Sequence, residues 1–161
     1  MTRAYLLLAA YIASIAAANW ATNTFGLVWF FGLAVTAGTL FAGAALVLRD
    51  GVQTSLGKRA VLLAILAGAG VSVLTSSPAL ALASGIAFLT SELVDFAVFT
   101  PLRARHLAAA VLVSSVVSAP IDTVLFLYLA GFGVSWEAVL GQFIVKTAIA
   151  GIVAWRISCS T

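Results

Sequence analysis

Charge is scarce in this chain. Of its 161 residues, eight are Lys or Arg and five are Asp or Glu, 8% in all. A soluble domain carries roughly 25%. So few charges cannot cover a surface that faces water, which excludes an ordinary soluble fold. Cysteine and histidine are scarcer still, one each, Cys159 and His106. A lone cysteine closes no intrachain disulfide and has no metal-ligand set around it. A lone histidine supplies neither a His pair for zinc nor a Ser/His arrangement within the membrane. No strand leads into a Gly-rich phosphate loop. The chain is therefore read as a non-enzyme that needs no metal and no cofactor. His106, beside Arg103 and Arg105, reads as part of a solvated loop.

What the chain has instead is apolar surface: 63% hydrophobic residues and a mean hydropathy of +1.19. A membrane-spanning helix needs about 20 such residues. The expected fold is all-α, a polytopic membrane protein forming a compact bundle of six transmembrane helices in one domain over 1–161. The spans read as about 4–20, 28–49, 59–75, 79–99, 107–130 and 136–156, with limits good to about 2–4 residues. Each gap carries a break: the polar run Asn19 to Gly26, Gly51 to Lys58, the turn Thr75-Ser76-Ser77-Pro78, Thr100-Pro101, and Gly131-Phe132-Gly133 ahead of Ser135, a helix N-cap. Arg3, the apolar run after it and Ala16-Ala17-Ala18 also fit a cleavable leader. The chain is Ala-rich throughout, so the triplet carries little weight, and the first helix is taken as a span.

The charges orient the bundle. Arg3, Arg49, Lys58, Arg59, Arg103, Arg105 and Arg156 gather at one side, while the opposite loops carry only Glu137. Basic residues in short loops stay on the cytoplasmic side, which places both termini inside. The net charge of +3 is thereby explained without a nucleic-acid partner. Trp20, Trp29, Trp136 and Trp155 fall at span ends, as an interfacial belt does. Small residues recur every fourth position (Ala34, Gly38, Ala42; Ala64, Gly68, Ser72; Ala79, Ala83, Ala87; Ala110, Ser114, Ser118). Such stripes let helix backbones approach in lipid.

Polar groups at bilayer depth are the functional candidates, because a charge there costs on the order of 3 kcal/mol or more. Glu92 and Asp95 are three apart and share a face with Ser84, Phe88 and Phe99. Ser114, Ser118, Asp122 and Phe126 align on the fifth span, where Pro120 removes a backbone donor. Gln142 and Lys146 are one turn apart on the sixth. Thr39, Gly43, Asp50 and Gln53 fall on one side of the second. Four polar faces suggest one central cavity. Structural pairing is the competing reading: Lys146 neutralising Asp122 or Glu92, and Arg49 neutralising Asp50. Two carboxylates as close as Glu92 and Asp95 repel, which also suggests a proton carrier.

These residues resemble a known family. Thr36-Ala37-Gly38-Thr39, followed by Leu48-Arg49-Asp50 with Gln53 and Gly57, is similar to the second helix of the queuosine precursor transporters, also described as vitamin uptake (VUT) transporters. Ser91-Glu92-Leu93-Val94-Asp95 looks like their fourth-helix motif. Asp122 with Phe126, and Gln142 with Lys146, look like their last two helices. The resemblance implies import of a 7-deazaguanine-type base across the inner (plasma) membrane. On that footing Glu92 or Asp95 would accept from the ring N–H and amino group. Gln142 or Lys146 would donate to the ring carbonyl. Phe88, Phe99 or Phe126 would stack on the ring. The partners expected are this small molecule and the lipid bilayer, with self-association as a homo-oligomer left open. Two alternatives stand beside the carrier: a substrate-binding membrane subunit that needs an energising partner, and a structural membrane protein with paired charges.

Overall fold

The computed structural model describes residues 2–159. Six helices follow in order: α1 (Thr2–Phe25), α2 (Thr39–Leu56), α3 (Lys58–Thr75), α4 (Pro78–Arg103), α5 (Leu107–Leu129) and α6 (Trp136–Ser158). Five of them are long and apolar enough to cross a membrane. The exception is α2, where Arg49, Asp50, Gln53 and Thr54 sit within 18 residues. The chain is thus an all-α, multi-pass membrane protein.

Helix limits follow local chemistry. The side chain of Ser77 accepts from Leu80 N at 3.2 Å, with Pro78 in the first turn of α4. Ser135 caps α6 in the same way through Ala138 N, also at 3.2 Å, as the sequence indicates. Pro lacks only a donor that the first turn would leave unused, and the capping oxygen satisfies another.

The second span departs from expectation. Residues 28–49 read as one helix, but α2 begins only at Thr39. Before it, β1 (Leu27–Phe30) and β2 (Leu33–Thr36) form an antiparallel hairpin with Leu27 opposite Thr36. Phe31 and Gly32 make its two-residue loop, both at positive φ (48° and 76°), the backbone a tight hairpin needs. Phe at that position is strained. Apolar runs of this length do not reveal their period. The β-branched and aromatic residues Val28, Trp29, Phe30 and Val35, interrupted by Gly32, favour strands. The base is closed by Ala37 N donating to Gly26 O at 2.9 Å.

α1 also differs at its outer end. The run from Asn19 to Gly26 was expected as a gap, yet the helix continues to Phe25. Its polar residues bond inward instead of ending it. Asn19 Nδ2 donates to Ile15 O and to Ser72 Oγ of α3 at 2.9 Å. Thr24 Oγ1 donates back to Trp20 O. Likewise α4 continues through Pro101 to Arg103 instead of ending at Thr100.

The core runs along α1, α2 and α3, with Tyr11, Ile15, Ala45, Val52, Val61 and Ala64 buried together. Small residues make the close approaches: a Cβ on Gly68 would stand 2.8 Å from Ile15 Cδ1, and one on Gly43 would stand 3.2 Å from Lys146 Cα. All four tryptophans lie on the outer surface of the bundle. His106 precedes α5 and is exposed, as is Cys159.

Candidate functional site

The buried polar residues do not meet in one place. Many of them form two clusters at different levels along α4: one level with Ser84 and Phe88, called outer because it lies away from the basic loops, and an inner one level with Glu92 and Asp95.

The outer cluster lines a small cavity. Ala18, Asn19 and Thr22 of α1 form one wall, and Thr36, Gly38 and Ala42 another. Ser84 and Phe88 of α4, Asp122 and Phe126 of α5, and Gln142 and Lys146 of α6 complete it. Lys146 Nζ donates to Asp122 Oδ2 at 2.7 Å and to Thr123 Oγ1 at 2.8 Å. Gln142 Nε2 is buried with no partner. A buried amide N–H left unpaired costs free energy unless something supplies an acceptor. The cavity therefore combines a spare donor, an ion pair and two aromatic rings.

The inner cluster centres on Arg49, which has no exposed surface. Its Nε donates to Glu92 Oε1 at 2.7 Å. Its Nη1 donates to Asp50 Oδ1 at 2.6 Å and to Gln53 Oε1 at 3.2 Å. Its Nη2 is ion-paired with Asp95 Oδ2. Ser118 Oγ of α5 donates to the other Asp95 oxygen at 3.3 Å. The rings of Phe96 and Phe99 lie 5.2 and 5.8 Å from the guanidinium carbon, within cation–π range. A planar fork with five donors is suited to holding several carboxylates at once.

Several readings change with this geometry. Glu92, Asp95 and Phe99 belong to the Arg49 cluster and are not among the residues lining the cavity. Arg49 is no loop charge, being buried with Asp50 inside α2. Thr39 shares a 2.9 Å hydroxyl contact with Thr36 at the start of α2, apart from Arg49, Asp50 and Gln53. Phe88, Asp122, Phe126, Gln142 and Lys146 do come together. The sequence reading missed Asn19 and Thr22 by treating them as loop. Carrying the α1 period past residue 20 puts both on the face of Ile15.

A family profile described as "putative vitamin uptake transporter" matches residues 71–159, more than half of the chain. The chain belongs to this family. The matched residues run from the end of α3 through α6. They include the α4, α5 and α6 members of both clusters, whereas α1, the hairpin and Arg49 lie outside them. No curated protein and no solved structure matches. Family membership and five spanning helices make this a multi-pass protein of the plasma membrane, and a transporter in class.

Proposed function

We propose that the chain imports a queuosine precursor, a 7-deazaguanine-type base, or a similar flat vitamin-like molecule, and that it binds this molecule in the outer cavity. The observation that carries the reading is the unpaired Gln142 Nε2 beside the Lys146–Asp122 pair. A guanine-like ring offers a carbonyl acceptor next to an N–H and an amino donor. Gln142 or Lys146 meets the acceptor, and Asp122 takes the accepting role first considered for Glu92 or Asp95. Phe88 and Phe126 supply ring faces. The motif resemblance in α2, α4, α5 and α6 supports the same substrate class.

Proton coupling is part of the proposal. Among the described buried residues, four carboxylates (Asp50, Glu92, Asp95, Asp122) face two cations (Arg49, Lys146). Surplus buried charge at membrane depth is what intramembrane proton carriers display. Purified protein is expected to gain thermal stability with 7-deazaguanine bases, and Gln142→Leu to lose that gain. Proteoliposomes holding only this chain are expected to accumulate the base under an inward proton gradient and to stop when a protonophore is added. If no purine or deazapurine base raises the melting temperature, the substrate reading fails. If accumulation ignores the gradient, the coupling fails.

A further inference from the structure

The cavity is narrow in this structure. Its space free to the centre of a water molecule is only about 20 Å³, about one water's worth. A bicyclic base cannot enter unless a wall moves. On the inner side the way is blocked one helical turn below Phe88, where Glu92 holds Arg49 against Phe96 and Phe99. Most of the remaining wall is helix.

One wall is built differently. Thr36 and Gly38, at the foot of the hairpin, line the cavity. The hairpin's backbone bonds are internal, so it can move as a unit and keep them. It starts from Gly26, at φ 63° with open space around it. It rests on the bundle through Ala34 and Leu27, which pack with Leu127 and Ala138, and through close approaches at two glycines. The Ala18 carbonyl lies so close to Gly38 that a Cβ there would overlap it. The Ala34 carbonyl would stand 2.7 Å from a Cβ on Gly141 of α6. The bond from Gly38 N to Thr22 Oγ1, at 3.1 Å, ties its foot to α1. Its far side borders an apolar groove with Leu40 and Ile144, which leaves room to swing.

We propose that the Leu27–Thr36 hairpin is the outer gate of the cavity, lifting off Gly141 and turning about Gly26 and Gly38 to admit the ligand. The proposal rests on the cavity being the ligand site. Hinged elements that seal a site in this way move on the microsecond-to-millisecond scale.

A reversible cross-link tests it. A Cβ on Gly141 would lie 3.2 Å from Leu33 Cβ, close to the separation a disulfide spans. Leu33→Cys and Gly141→Cys are introduced together on a Cys159→Ser background, which leaves no other thiol. Uptake is compared in one preparation before oxidation, after it, and after reduction. The expected result is a loss of roughly tenfold or more on oxidation, regained with reductant, since a locked gate stops turnover. Equal uptake by cross-linked and reduced protein overturns the gate. Base binding to the Cys159→Ser parent, read by thermal shift, separates the two ideas. No binding there sinks the site reading, whereas binding with undiminished uptake after cross-linking sinks the gate alone. Should the double variant not fold, Thr36→Cys on the same background is probed from outside with a membrane-impermeant maleimide. The buried thiol is expected to react, and more slowly once base is bound. A thiol that stays unreactive while uptake continues overturns the gate.

Discussion

The two buried clusters use the same kinds of residue to opposite ends. Around Arg49, three carboxylates compete for one guanidinium, and Asp50 Oδ2, Glu92 Oε2 and the amide Nε2 of Gln53 are left without a hydrogen-bond partner. Asp50 also borders an apolar groove with Leu48, Val111 and Ile157. In the outer cluster one carboxylate has Lys146 to itself, and the amide of Gln142 is in surplus next to an empty space. Several ion pairs drawn onto one guanidinium fit a structural clasp between α2 and α4. A single ion pair lining a cavity with Phe88, Phe126 and Gln142 fits recognition. Burial and charge alone do not separate the two; the difference lies in how many carboxylates each cation holds.

Substitutions can break this contrast. The largest effect is expected at Arg49. Arg49→Leu strands three buried carboxylates, and removing one partner of a buried ion pair costs about 3–5 kcal/mol. Little monodisperse protein should survive detergent extraction and size-exclusion chromatography. A variant as stable as the parent would show that the cluster is no clasp.

Lys146→Met comes next. It leaves Asp122 unpaired and should lower stability by about 3 kcal/mol, with binding lost. Adding Asp122→Asn removes the stranded charge. The double variant should recover most of the melting temperature and none of the binding. Recovery of binding would move recognition away from this pair.

Gly68→Ala tests packing alone. Its Cβ would press on Ile15 of α1, and overpacking costs about 1–3 kcal/mol. The melting temperature should fall, while base affinity in the folded fraction stays that of the parent. A change in affinity would mean that the α1–α3 contact reaches the cavity.

Gln142→Leu sharpens the contrast most finely. It removes an unpaired buried donor, so stability should hold or rise by up to about 1 kcal/mol. Affinity for the base should drop about tenfold, the worth of one hydrogen bond of about 1.4 kcal/mol. Falling stability with unchanged affinity would make Gln142 a structural residue.

Much of the fold is legible in the residues. Long apolar stretches broken by Ser76-Ser77-Pro78 and by Gly131 to Ser135 mark where helices stop and restart, because caps and breakers act locally. The hairpin is not legible in the same way. Its ten residues, eight of them apolar, satisfy a span rule as well as a strand rule, and Gly32 is the chief local hint. The site is half legible. Period alone puts Gln142 and Lys146 on one face, and Asp122 with Phe126 on another. Period cannot tell which carboxylate Arg49 will reach, since its long side chain crosses from α2 to α4.

The sequence by itself determined that the chain lives in a membrane and which polar residues stand too deep to be solvated. Those follow from the free energy of moving groups between water and lipid, which depends on each residue and its near neighbours. Only the tertiary structure decided that Glu92 and Asp95 serve Arg49, that Asp122 stands beside the cavity, and that the foot of a hairpin lines it. Ion pairing within a few ångströms between helices far apart in sequence set those outcomes, and no local pattern encodes which partner wins.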